Sequence, residues 1–376
     1  MMVLNNTTTR RHALRIVAIS ASAWSFTSIA SAASSSIGLS LPLTGVQAET
    51  AAELLAGYQL AIDAQGSPLS LTVLDDASDA KRTAENVKKL ASMTSIVALS
   101  GIVGTPHALA ALPLAAEFSL PVVGIRSGAL ALRGTDDNVF HLRASFEDEL
   151  DKMVRMCTGA GFKRLSVLYS NDAFGIGSKN HLVERLAAAG VEVGAVASVE
   201  RDGSNLEQAT LQIAQKIKSD RVASAIALLL IAKPMVAAAT SLRETHVILV
   251  PLLAMSFVAN RQVASAPSKT LSGLGLVIAF PLPRSSTTGL ATKFRADAIR
   301  MGKPELIDSL ASFEAYFYGS IIARAFVPGM NRKDFAKRVQ AGVQFAGTDV
   351  QFNAKNVGYN YLEIVYKAGV DGKLRA

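Results

Sequence analysis

Cysteine occurs once in this chain, as Cys157, and tryptophan once, as Trp24. A single cysteine excludes an intramolecular disulfide even in an oxidising compartment. Cys157 lies on an apolar helical face with Met153 and Met156 and has no basic group obviously placed to make a thiolate, which reads as a buried structural thiol. Histidine is also scarce. His107, His141, His181 and His246 have no Cys or His partner at metal-ligand spacing, so no metal is expected. Motifs for catalysis and phosphate binding are missing as well. The run from Gly124 to Gly128 has one residue too many before its serine for a nucleophile elbow, and no G-x-x-x-x-G-K-S/T loop occurs. Gly159 and Gly161 follow a helical pattern and precede a strand, the reverse of the order that presents amides to a dinucleotide. No cofactor is expected.

Long apolar runs are lacking too. Ala223 to Ala232 and Val247 to Val258 are about half the roughly 20 residues a membrane span needs, and read as strands buried on both faces. The net charge of +8 is dispersed among acids, with no basic stripe interleaved with aromatics, so nucleic acid is not an expected partner. What is present first is an export pattern. Arg10, Arg11 and Arg15 precede an apolar stretch from Ile16 to Ile29 and a small-residue site at Ala30-Ser31-Ala32, which predicts a removable signal over residues 1–32. The segment Thr9 to Arg15 approximates a twin-arginine signal, although Ala13 stands where a bulky apolar residue is usual, so the folded and unfolded export routes both stay open. Trp24 would leave with the signal, and no stable membrane insertion is expected afterwards.

From Ala33 onward, strand-like apolar runs alternate with amphipathic segments. Strands are predicted near 36–41, 69–74, 95–100, 121–125, 165–169, 191–198, 224–231, 247–251 and 274–279, with helices such as 50–64, 80–90, 107–118, 150–160, 177–189 and 206–218. This spacing implies an α/β fold of parallel sheets covered by helices on both faces, too long for one compact core and therefore two-lobed. Asp79 caps the helix from Ala80, and Gly190 stops the one ending at Ala189. Ligands of such sheets bind beyond the carboxyl ends of the strands. Those ends are Thr44 to Thr50, Ile102 to His107, Arg126 to Gly128, Ser170 to Ile176, Ala232 to Pro234 and Ala254 to Phe257.

Several short motifs occur in a telling order: Pro42-Leu-Thr-Gly45, Leu74-Asp-Asp-Ala-Ser-Asp79, Ser100-Gly-Ile-Val-Gly-Thr105, Leu132-Arg-Gly134, Val139-Phe-His-Leu-Arg143, Leu168 to Gly175, and Gly347-Thr-Asp-Val-Gln-Phe352. In that order they resemble the leucine/isoleucine/valine-binding family of periplasmic proteins that serve ATP-binding-cassette (ABC) importers. The resemblance covers nearly the whole chain after Ala33. It implies two doubly wound lobes joined by three hinge crossings near Ser145, Phe280 and Ala346. One lobe would combine 33–145 with 281–345, and the other 146–280 with 346–376.

The resemblance also implies a site. Val103, Gly104 and Thr105 would grip a ligand carboxylate through amides and a hydroxyl at a helix N-terminus. Ile125, Arg126 and Ser127 form the next loop, in which Arg126 departs from the family pattern. Arg126 reads either as a bidentate carboxylate clamp or as a solvated or salt-bridged arginine. Glu147 or Asp148 falls where an acid holds a ligand ammonium, and each also reads as an ordinary first-turn helix acid. Phe174 replaces a tyrosine that packs on the ligand and favours an apolar or aromatic group. Thr50, Ala232 and Met255 stand near positions that are aromatic or acidic in similar proteins.

The expected function is capture of a small carboxylate-bearing solute, an amino acid or an aromatic acid, in the periplasm by a monomer that delivers it to the permease subunits of an ABC importer. A ligand sensor on the same fold is the alternative. An exported enzyme would need a nucleophile with an oriented base, and His107 near Ser127 has no recognisable orienting group.

Overall fold

The computed structural model describes residues 35–219, 222–367 and 373–375. The expected export signal lies outside these residues. Among the described residues no helix is long and apolar enough to cross a membrane.

Continuous apolar runs become parallel strands buried on both faces. The first sheet holds β1 (Ser36–Leu41), β2 (Ser70–Asp75), β3 (Ile96–Ser100), β4 (Val122–Val123) and β5 (Val139–Phe140), in the order β2-β1-β3-β4-β5, all parallel. The second holds β6 (Arg164–Ser170), β7 (Glu192–Val199), β8 (Ser224–Leu229), β9 (Leu252–Met255) and β10 (Leu274–Ile278). Its parallel order runs β7-β6-β8-β9-β10. Between the sheets' segments lies a small hairpin, β11 (Val343–Phe345) with β12 (Thr348–Val350). The chain then returns to the second sheet as antiparallel β13 (Glu363–Lys367) and β14 (Leu374–Arg375).

Helices cover both sheets. The first lobe begins with α1 (Ala48–Gln65), α2 (Ala80–Ala91) and α3 (Thr105–Glu117). The second contains α4 (Phe146–Gly159), α5 (Ala173–Ala188), α6 (Leu206–Ser219), α7 (Ala232–Thr240), α8 (Arg261–Ser265) and α9 (Ser268–Leu271). The chain then crosses back with α10 (Gly289–Arg300), α11 (Leu310–Ala325) and α12 (Arg332–Gln340), of which α11 lies along α1. Residues 353–358 still run beside β5, with His141 N donating to the Asn356 carbonyl at 2.7 Å, before the last return. The result is two doubly wound parallel sheets linked by three crossings.

Local signals act as their chemistry requires. The Asp79 carboxylate accepts from the amides of Lys81 and Arg82 to cap α2, and Gly190 continues from α5 at φ 69°. Cys157 is buried in α4, where burial pushes its thiol up to about 11.

One strand is displaced. The run predicted near 247–251 is irregular, with Val247 and Leu249 largely exposed, and the strand starts only at Leu252. Pro251 lacks an amide donor and restricts Val250, so pairing begins after it, with the Pro251 carbonyl accepting from Ile226 N at 3.0 Å.

Candidate functional site

In both sheets the strand order reverses beside an early strand, at β1/β3 and at β6/β8, the switch points beyond whose carboxyl ends ligands of such sheets bind. The loop after β3 turns at Gly104, which takes φ 97° just before α3, a conformation a side chain resists. Gly104 N donates to the Arg126 carbonyl at 3.0 Å, and Arg126 N donates to the Ile102 carbonyl at 2.9 Å. These bonds lock the 103–105 loop to the 125–127 loop. The hydroxyls of Thr105 and Ser127 then meet at 2.9 Å, both fully buried. Amides at the start of α3 add partial positive charge to this point.

Arg126 is salt-bridged. Its Nε donates to Glu314 Oε2 at 3.1 Å, and Nη1 donates to the Phe257 carbonyl of the second lobe at 3.1 Å. Glu314 comes from α11, and its Oε1 also accepts from Arg143 Nη1 at 2.9 Å and from the Tyr318 hydroxyl at 2.6 Å. Arg143 continues to Glu149 Oε1 at 3.1 Å and to the Ser256 hydroxyl. Ser256 N closes the chain by donating to Glu149 Oε2 at 2.8 Å. Two arginines and two glutamates are thus buried as a charge-balanced network running from the first lobe into the second. Burial alone would lower the Arg143 pKa, but Glu314 and Glu149 outweigh it and raise it, so the guanidinium stays charged.

Three aromatic rings fill the space beside the network. Phe174 lies 5.1 Å from Phe146 and 5.2 Å from Phe257, and Phe146 meets Phe257 at 6.0 Å. The Arg126 guanidinium sits 5.1 Å over Phe257, and that of Arg143 sits 5.4 Å over Phe146. Nearby, Asn260 Nδ2 donates to Thr50 Oγ1 at 2.9 Å, and Arg261 N donates to the Glu53 carboxylate at 3.0 Å. Residues of α1 therefore hold the start of α8 across the two lobes.

The sequence-derived positions fall into distinct settings. Val103, Gly104, Thr105, Ile125, Arg126 and Ser127 are brought together, as is Phe174 with its two partner rings. Asp148 is engaged in a reciprocal cap with Ser145 at the start of α4. Glu147 Oε1 accepts from Leu130 N at 3.4 Å, while its buried Oε2 has no partner. Burial raises its pKa, against the amides of Glu147 and Leu130. Ala232 begins α7 and Met255 ends β9, both buried. Ser256 and Phe257 lie in the strand-end segment Ala254 to Phe257 and Arg143 ends the motif Val139 to Arg143, but their partners, and Glu314, Glu149 and Phe146, emerge only from the structure. For Glu314 there was one signal, a lone acid inside the apolar run Ala311 to Ile322, because a buried glutamate needs a partner.

No curated protein matches the chain. A structure of a substrate-binding periplasmic protein from Ralstonia solanacearum superposes with TM-score 0.82 at 26% identity, covering 90% of this chain and 99% of that one. A possible leucine/isoleucine/valine-binding protein from Rhodopirellula baltica SH 1 gives 0.81 at 24%, covering 91% and 96%. An ABC transporter substrate-binding protein from Sphaerobacter thermophilus gives 0.71 at 16%, covering 88% and 93%. These likenesses agree with the two-sheet architecture, and a family model for periplasmic binding proteins matches residues 34–356. The chain belongs to the periplasmic binding protein family and has its type I fold.

Proposed function

We propose that this protein is the substrate-binding component of an ABC importer, a monomer working in the periplasm that captures a small carboxylate-bearing solute between its lobes and presents it to the permease subunits. The solute is an amino acid, branched-chain or other, or an aromatic acid. The observation that carries this reading is the meeting of the Thr105 and Ser127 hydroxyls at the start of α3, directly beside the Arg126 to Phe257 contact between lobes. Hydroxyls and helix amides on one lobe suit a carboxylate, and a contact from the other lobe makes closure part of binding.

In this reading Val103, Gly104 and Thr105 with Ile125 and Ser127 cradle the carboxylate. Phe174, with Phe146 and Phe257, receives an apolar body. Arg126 bridges the lobes, Glu147 Oε2 is the acceptor left for an amine, and Thr50, Ala232 and Met255 shape the surrounding wall. The hinge crosses near Ser145, near Phe280 and, where a crossing near Ala346 is expected, on the way from β12 to β13, after residues 353–358 have run beside β5.

A thermal-shift screen of refolded, ligand-stripped protein against amino acids, aliphatic acids and aromatic acids tests it. Ligand at about a thousand times its Kd adds roughly 4 kcal/mol to stability, a clear rise in Tm. No rise with any acid would contradict the proposal.

A further inference from the structure

Arg126 is committed to Glu314 and to a backbone carbonyl, yet another guanidinium beside Gly104 keeps two of its nitrogens open. Arg201 follows β7 in the second lobe, and its Nη1 pairs with Asp172. Its Nε and Nη2 are buried without a hydrogen-bond partner. Those two N–H groups form the side fork that fits a carboxylate with two parallel bonds. A buried donor left unpaired is costly, so an empty fork marks a place for an acceptor.

One nitrogen of that fork, Nη2, lies at the loop after β3. A Cβ built on Gly104 would lie 3.7 Å from Arg201 Nη2, 3.4 Å from His107 Nδ1 and 3.8 Å from Phe257 Cζ. His107 is 2% exposed, and both of its ring nitrogens also lack hydrogen-bond partners. Around one point above Gly104, therefore, stand an open guanidinium fork from the second lobe, an unpartnered imidazole from the first, and the N-terminus of α3. Asp172 and Asp79 are the acids near His107, and Asp172 already neutralises one side of Arg201.

We propose that Arg201 is the clamp by which the second lobe seizes the anionic group of the solute held at Gly104 and Thr105, beside the first lobe's His107, so that an organic carboxylate, not its neutral analogue, drives closure. This rests on the solute-binding reading above. The ligand carboxylate would accept from Arg201 Nε and Nη2 on one side and from the α3 amides and Thr105 hydroxyl on the other. Binding at both faces ties the lobes together only when the charge is present.

The test titrates ligand-stripped wild type, Arg201→Gln, Arg201→Lys and Gly104→Ala by calorimetry. The probes are leucine, 4-methylpentanoate and benzoate, each beside its amide. Expected is binding of at least one acid without its amide, about a hundredfold loss in Arg201→Gln, partial recovery in Arg201→Lys, and loss in Gly104→Ala, whose methyl occupies the anion position. Arg185→Gln, at a surface pair with Asp151, serves as the control that leaves affinity unchanged. Wild-type affinity in Arg201→Gln, or equal binding of acid and amide, overturns the clamp while leaving solute binding standing. If none of the compounds binds wild type, the carboxylate reading falls and the clamp with it. Should Arg201→Gln fail to fold, Arg201→Lys and Gly104→Ala still decide, because unaltered acid binding in both overturns the proposal.

Discussion

Arg143 Nη1 lies 2.9 Å from Glu314 Oε1, two residues 171 positions apart in sequence, and the other oxygen of the same carboxylate holds Arg126. One glutamate therefore sits between two buried guanidinium groups, and removing it leaves Arg126 with no acid and Arg143 with Glu149 alone. Glu314→Ala is expected to destabilise the protein by about 3–5 kcal/mol, read from urea unfolding midpoints. Loss below about 1 kcal/mol would mean that water or another acid compensates.

Gly124 is held at φ 74° against the Tyr318 ring, and an added Cβ would lie 2.4 Å from it. Gly124→Ala must displace Tyr318, whose hydroxyl donates to Glu314 and, at 3.4 Å, to the Ile125 carbonyl. The expected cost is about 1–3 kcal/mol of overpacking plus backbone strain, with weaker ligand binding, measured by thermal unfolding and calorimetry.

Stability is expected to fall as the medium is acidified. Burial lowers the pKa of His107 to about 4, aided by nearby Arg201 and opposed weakly by Asp172, Asp79 and the Ser78 backbone, which stops short of hydrogen-bond geometry. His141 is lowered to about 4 by burial and Arg133, against its contact with the Leu132 carbonyl. Each ring is neutral when folded and takes a proton near pH 6.5 when unfolded. The unfolded chain therefore binds more protons between pH 6.5 and 4, and stability is present above that window and lost as pH falls through it, by up to about 3 kcal/mol per histidine. Urea midpoints from pH 7 to 4.5 measure the slope. His141→Gln is expected to flatten it, and an unchanged slope would refute the assignment to His141.

Asn260 does two jobs. Its amide nitrogen donates to Thr50 across the lobes, and its carbonyl oxygen accepts from Val263 N to cap α8. Asn260→Ala is expected to cost about 1–2 kcal/mol and to weaken ligand binding by making the closed form less favourable. Parallel unfolding and binding curves separate the two effects.

Much of the architecture was legible because its signals are local. The apolar strands and the Asp79 cap stand in short windows of sequence. The displaced β9 shows the limit, since an apolar run does not say where Pro251 will let pairing begin. The loops carrying Gly104, Thr105 and Ser127 were legible through resemblance. The buried network was not, because Arg126, Arg143, Glu149 and Glu314 become partners only when distant segments fold together. Arg201 illustrates the same limit at a strand end. No motif marks it, and only the packed structure shows two of its nitrogens buried and open.

Hinge closure on a carboxylate is the central claim, and small-angle X-ray scattering of ligand-stripped protein, before and after saturation with the acid that raises Tm most, tests it most directly. The account predicts a smaller radius of gyration with the acid, with the Arg126 to Phe257 carbonyl contact between the lobes held in the bound form. Identical curves with and without the bound acid would contradict it.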